Sequence, residues 1–171
     1  MAVINHLRIL LTAAWLGTAI YFSAVVAPNV FAVLRSFSVP NANEIAGTIV
    51  TRTLSVVNTT GFILGLLLLI TTVVLRKRYG RVPFVLQLVL TIIVASATGL
   101  GEWVITARMR LLRAAMHGQI DQVALTDPTR MAFAALHGYS VAALGTAMMA
   151  AVLVILLMIS SRGPELPLPK K

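Results

Sequence analysis

Cysteine is missing from all 171 residues. Disulfides, thiolate metal centres and cysteine nucleophiles are therefore excluded. Charge is also scarce. Only 11% of the chain is Asp, Glu, Lys or Arg, less than half of the ~25% usual in soluble domains. What fills the chain instead is apolar: 58% of residues are hydrophobic and the mean hydropathy is +0.93. This balance favours a bilayer as solvent over water. The length fits one helical bundle rather than several domains. The net charge of +9 lies mostly in loops and tails, where it sets topology and attracts anionic lipid. Nucleic-acid binding is excluded as a main reading, because no basic face is interleaved with aromatics.

The apolar residues fall into long runs. Leu7 to Leu34 carries no charge after Arg8, and ~20 such residues cross a bilayer as a helix. A cleaved signal peptide is the alternative for this first run, with Val25-Val26-Ala27 resembling a cleavage site. The run continues past that site, however, and signal cores span only ~7–15 residues. Three further runs follow. The expected architecture is all-α, a membrane-spanning four-helix bundle over residues 1–160 with spans at about 7–34, 56–75, 82–108 and 131–160. Residues Glu44 to Arg52 suit a short amphipathic helix before the second span. Residues 161–171, with Pro164, Pro167 and Pro169, suit a flexible cytoplasmic tail.

Arg76, Lys77, Arg78 and Arg81 crowd the loop between spans two and three. The positive-inside rule makes that loop cytoplasmic. Four spans then place both termini inside (N-in, C-in), in agreement with Arg8, Arg162, Lys170 and Lys171.

Helical spacing gives each span a small or polar face. These faces are Ala13, Gly17, Tyr21, Ala24 and Pro28; Asn58, Gly61, Gly65, Leu68 and Thr72; Thr91, Ala95, Thr98, Glu102 and Thr106; and Ala134, His137, Val141, Leu144, Ala147 and Ala151. Lipid tails give helices no hydrophobic reason to associate, so small residues must hold them together. The four stripes are expected to face inward. Small-residue faces also offer a route to a homo-oligomer. The bilayer is the other expected partner, and no nucleic acid, cofactor or metal is.

Depth adds a second signal. At 1.5 Å per residue, Glu102 lies ~30 Å from Val82 and Asn29 ~31 Å beyond Arg8, while Asn58 enters ~9 Å inward from Arg52 and His137 ~10 Å inward from Arg130. Glu102, His137, Asn58, Asn29 and Arg52 are thus expected to gather at the outer leaflet. The inner half offers nothing comparable except Gln87. Each has a plain structural reading: Glu102 pairing with Arg52 or Arg108, His137 bonding a carbonyl, Asn29 capping a bend after Pro28. The functional reading takes Glu102 and His137 as a proton-active or metal-contacting pair, since an ionisable group inside a membrane is a site hypothesis by default. Sharper chemistry fails. A bis-histidine haem needs two facing histidines, and His6 and His117 lie outside the spans. A closed metal site needs about four ligands, of which Glu102 and His137 supply two. Ser140, His137 and Glu102 form no nucleophile elbow, so catalytic residues and enzyme activity are not expected.

Trp15-Leu16-Gly17, then Val26-Ala27-Pro28-Asn29-Val30-Phe31, Ala46-Gly47 with Arg52, and Phe133 through His137-Gly138-Tyr139-Ser140 resemble the four-span domains of unknown function numbered 4149, which are similar to the transmembrane protein 205 group. Gly17, Pro28, Phe31, His137, Gly138 and Ser140 are the motif positions. A later Asn of the family is replaced here by Ala143 or Gly145. The resemblance implies four helices with both termini inside and no established chemistry. The copper-resistance type D membrane domains are more distantly similar, but the chain lacks the Met or His density copper would want, and Met148, Met149 and Met158 are expected near the cytoplasmic half of the bundle. The expected role is a structural, stress-related or partner-binding component of the cell membrane. The alternative is a small transporter or transport accessory handling protons or metal ions through Glu102 and His137.

Overall fold

The computed structural model describes residues 2–116 and 118–160. His117 and the Pro-rich tail expected over 161–171 lie outside them. Among the described residues four helices are long and apolar enough to cross a membrane: α1 (Val3–Ser36), α2 (Ala42–Val74), α3 (Arg81–Ala115) and α4 (Pro128–Ser160). Each packs on its neighbours in a ring, α1 on α2, α2 on α3, α3 on α4 and α4 on α1. This is an up-down-up-down four-helix bundle.

Local signals set the ends. Asp127 Oδ1 accepts the backbone N–H groups of Thr129 (2.8 Å) and Arg130 (3.1 Å). It caps α4, and Pro128 takes the first turn, where its missing N–H costs nothing. Asn41 adopts a left-handed φ of 60°, a conformation asparagine tolerates better than most residues, and α2 starts directly after it. The Glu44–Arg52 stretch and the second span form one continuous helix, because no residue between Arg52 and Val56 breaks it. A helix of 33 to 35 residues is ~50 Å long, whereas the hydrocarbon layer is ~30 Å thick. The surplus is polar and collects at one end. There Arg113 pairs with Glu44, Asn43 Nδ2 donates to Asp121, and Arg130 bonds the Val123 carbonyl. The other end carries the short hairpin Arg76–Arg81.

Small residues form the seam. A Cβ added to Gly65 would sit 2.8 Å from the backbone of Ala95, and one added to Gly61 would sit 2.7 Å from the Trp15 ring and 2.8 Å from Thr98. With Asn58 against Gly101, these contacts fix the antiparallel register of α2 and α3. Trp15 is buried and its Nε1–H donates to the Val57 carbonyl at 2.9 Å. Leu64, Leu68, Val94, Ala147, Ala151 and Val154 complete the core.

Two helices widen locally to π geometry, α1 over Phe22–Val26 and α3 over Gly101–Thr106. Pro28 accounts for the first: it donates no N–H, so the ladder before it must rearrange. In each case a side chain takes up a carbonyl near the distortion. Asn29 Nδ2 donates to Val25 O at 2.7 Å, and Thr106 Oγ1 donates to Gly101 O at 2.8 Å. Thr106 is buried, so Thr106→Val is expected to lower stability by about 1 kcal/mol, the usual net worth of one buried hydrogen bond. Thermal unfolding in a mild detergent measures it.

The structure corrects the expected facing of α1. Ala13, Gly17, Tyr21, Ala24 and Pro28 are all exposed, with Tyr21 61% exposed. The buried stripe is Arg8, Thr12, Trp15, Ala19 and Phe22. The bulky Trp15 and Phe22 win the interior because the bundle needs volume there, whereas the small stripe would leave it empty. On α4, Leu144, Ala147 and Ala151 do face inward, but Ala134, His137 and Val141 are exposed. The inward positions of α4 are Ser140, Leu144, Ala147, Ala151, Val154 and Met158. Ser140, Ala147 and Val154 repeat every seven residues, as do Leu144, Ala151 and Met158, the repeat of a left-handed supercoil.

Candidate functional site

The five residues expected to meet at one leaflet are held in different ways. Glu102 lies in the π segment of α3, and its side chain is 10% exposed. Its Oε1 accepts the Ser55 hydroxyl at 2.6 Å and lies 3.8 Å from Arg110 Nη2. Its Oε2 is buried without a hydrogen-bond partner. Asn58 is 2% exposed and packs on Gly101, next to Glu102. Asn29 is exposed and bonded only within its own helix. Arg52 and His137 are exposed. Among the described residues no hydrogen bond or ion pair links any two of the five, and no group of three or more His, Asp or Glu could hold a metal ion. Next to His137, Leu136 is half-buried and lines a pocket of about 380 Å³ with Arg108, Leu111 and Leu112. Of the motif positions, only Ser140 is buried. Phe31 is half-buried, with Arg35 5.6 Å from its ring centre, and Gly17, Pro28, His137 and Gly138 are exposed.

The opposite end holds a polar layer that sequence reasoning missed. Arg8 is 1% exposed. Its Nη2 donates to Thr72 Oγ1 at 2.6 Å and its Nη1 to the Tyr79 hydroxyl at 2.9 Å, while Nε is buried without a partner. Thr12 Oγ1 donates to the Arg8 carbonyl at 2.7 Å. Gln87 is 1% exposed, and both polar atoms of its amide lack partners. The register set by Gly65 against Ala95 and Gly61 against Thr98 continues to place Gln87 level with Thr72. Asn5 donates to the Met158 carbonyl at 3.4 Å. The expectation that the half of the bundle nearest the hairpin holds only Gln87 is therefore corrected: it holds a buried cation as well. A charge there faces the bundle interior because lipid cannot solvate it. The signal was present in the spacing. Arg8 and Thr12 precede Trp15, Ala19 and Phe22 at steps of three and four, on the stripe that the one buried tryptophan anchors.

The chain is also unusual on its outside. Only 22% of the most apolar stretch of α1 is buried, against 33–39% for the other three helices. Its exposed side is lined by Ala13, Gly17 and Ala24, and a Cβ at Gly17 would meet nothing within 4 Å.

No curated protein and no solved structure matches the chain. A family model does match, over residues 10–118, which takes in Trp15, the α2–α3 seam, Glu102 and Gln87, but stops before α4 and the His137-Gly138-Tyr139-Ser140 motif. With that match spanning most of the chain and four helices apolar enough for a bilayer, the protein is a membrane protein that belongs to the family of the domain of unknown function DUF4149.

Proposed function

We propose that the protein is a non-enzymatic, partner-binding component of a cell membrane that assembles with further copies of itself through the outward face of α1. The observation that supports this reading is the reversal of that helix. Trp15 and Phe22 are turned to the interior, and Ala13, Gly17 and Ala24 are turned outward, with Tyr21 beside them. In a bilayer, small residues let a second helix approach closely and gain dispersion contacts that lipid tails do not supply as well. The basic hairpin supports a cytoplasmic position for the Arg76–Arg81 end, with both termini on that side, in a plasma or bacterial inner membrane.

Chemical cross-linking of the full chain in lipid nanodiscs or vesicles tests the assembly. The wild type is expected to form a discrete oligomer, and Gly17→Leu a monomer of unchanged unfolding temperature, since nothing in the bundle touches that position. A wild type that stays monomeric in lipid, or a Gly17→Leu variant that oligomerises as well as it does, contradicts the reading.

A second reading, a transport accessory that takes up a proton or metal ion, is favoured by one feature, the unpartnered Oε2 of Glu102. It rests on Glu102 with Ser55 and Arg110, without His137. Its weakness is the closed middle of the bundle, where Gly65 meets Ala95 and Leu68, Val94 and Ala147 have no exposure. Proton flux into proteoliposomes, abolished by Glu102→Gln, is the result this second reading requires.

A further inference from the structure

We propose that the buried Arg8, with Thr72, Tyr79 and the basic hairpin around them, is a binding site for a phosphate group, either that of an anionic phospholipid or a free phosphate. The inference is independent of how the chain assembles. It begins with a counter-charge that is missing among the described residues. Arg8 is enclosed by the bundle and its two side-chain partners, Thr72 and Tyr79, are neutral hydroxyls. A guanidinium in a low-dielectric interior is costly unless an anion offsets it. Of the five acidic residues in the chain, Glu44, Glu102, Asp121 and Asp127 belong to the other end of the bundle. Glu44 pairs with Arg113, Glu102 lies by Ser55, Asp121 accepts from Asn43, and Asp127 caps α4. The fifth, Glu165, lies outside the described residues. The last turn of α2, on which Thr72 sits, offers only the partial negative charge of a helix C-terminus.

The surroundings favour an oxyanion. Arg76, Lys77, Arg78 and Arg81 flank Tyr79 within six residues and are exposed, so the hairpin that supplies Tyr79 is strongly positive. Arg8 Nε is an N–H donor with nothing to donate to, and Gln87 Nε2, level with Thr72, is another. Arginine presents its N–H groups as a planar fork that matches phosphate oxygens. Tyr79 is the movable part. It is half-buried, sits in the hairpin rather than in a helix, and its hydroxyl occupies Nη1. That hydroxyl holds the place of an incoming oxygen. When Tyr79 is displaced, its place at Nη1 is open, and a phosphate oxygen there receives a charge-assisted hydrogen bond from Nη1.

The test uses the full chain in a neutral maltoside detergent. Thermal shift and native mass spectrometry are read against four additions: phosphatidylglycerol, diacylglycerol, inorganic phosphate and buffer alone. Phosphatidylglycerol is expected to raise the unfolding temperature and to remain bound as a stoichiometric adduct, while diacylglycerol, which lacks the phosphate, does neither. If inorganic phosphate gives the same shift at millimolar concentration, the free ion is the ligand; if only the lipid does, the headgroup is. Both results support the site. Arg8→Gln is expected to weaken binding by about tenfold or more, the loss of charge-assisted bonds. Because that variant also strips Thr72 of its partner, Tyr79→Phe is the second arm: it keeps the charge, frees Nη1 and is expected to bind the same ligand more tightly. Equal binding of phosphatidylglycerol by the wild type and Arg8→Gln, or an equal shift with diacylglycerol, overturns the proposal. So does weaker binding by Tyr79→Phe. A Glu165→Gln variant that loses as much stability as Arg8→Gln overturns it too, because the counter-charge would then come from the chain itself.

Discussion

Replacing Gly65 with leucine is expected to prevent the bundle from forming. The position has no room for even one carbon. A Cβ there would lie 2.8 Å from Cα, Cβ and N of Ala95, and two of those three atoms are backbone, which cannot turn aside as a side chain does. Overpacking a core ordinarily costs about 1–3 kcal/mol when side chains absorb the strain. Here the strain can be relieved only by moving α2 away from α3, the contact that fixes their register. Gly65→Ala is expected to cost about 2–3 kcal/mol, and Gly65→Leu to exceed that and leave no cooperative unfolding transition. Gly17 supplies the control. It sits on the same kind of small-residue stripe, yet Gly17→Ala is expected to leave stability unchanged, since a Cβ there meets nothing within 4 Å. Circular dichroism melts of the three variants in detergent separate the cases.

Trp15→Ala carries the second large effect. The indole is 7% exposed, lies against Gly61 and donates to the Val57 carbonyl. Removing it leaves a void where three helices meet, because Gly61, opposite, has no side chain to fill the gap and Thr98 is already in contact with the same point. Tryptophan-to-alanine changes in protein cores cost about 3–5 kcal/mol, and a loss of about 3 kcal/mol or more is expected here. Trp15→Phe keeps most of the volume and removes only the N–H, so its cost is expected to be about 1 kcal/mol. If the two variants were equally destabilised, the hydrogen bond rather than the packing would be the source of the effect.

The number of helices and their class were legible in the sequence, because ~20 uncharged residues in a row leave a bilayer-crossing helix as the simplest solution. The α2 and α3 faces were legible too. Asn58, Gly61, Gly65, Leu68 and Thr72 are all buried, and so are Thr91, Ala95, Thr98 and Thr106, because on those helices the small residues and the polar residues lie on one stripe. On α1 they lie on two. Ala13, Gly17 and Ala24 follow one stripe, and Arg8, Thr12 and Trp15 another, and a rule that sends small residues inward chooses the wrong one. Volume decides: the interior takes Trp15 and Phe22.

The candidate site was harder to read for a related reason. Distance along a helix follows from sequence, but facing does not, and His137 lies on an exposed surface. Glu102 was legible as a polar residue inside a span. Its partner Ser55 was not, because a lone serine in a polar stretch carries no signal. In the sequence Arg8 reads as one of the basic residues that agree with an inside N-terminus. That reading fits most arginines near a span end, and only its spacing from Trp15 sets this one apart.

Which side of α1 faces the bundle is the point on which the rest turns, and the natural lack of cysteine makes it directly measurable. Single cysteine substitutions from Thr12 to Ala24, spin-labelled in detergent micelles that hold one copy of the chain each, report the accessibility of each position to oxygen dissolved in the apolar interior of the micelle. Accessibility is predicted to fall to minima at Thr12, Trp15, Ala19 and Phe22 and to peak at Ala13, Gly17, Tyr21 and Ala24. The opposite phase, with minima at Gly17 and Ala24 and a peak at Trp15, would contradict the fold, the outward face and the buried arginine together.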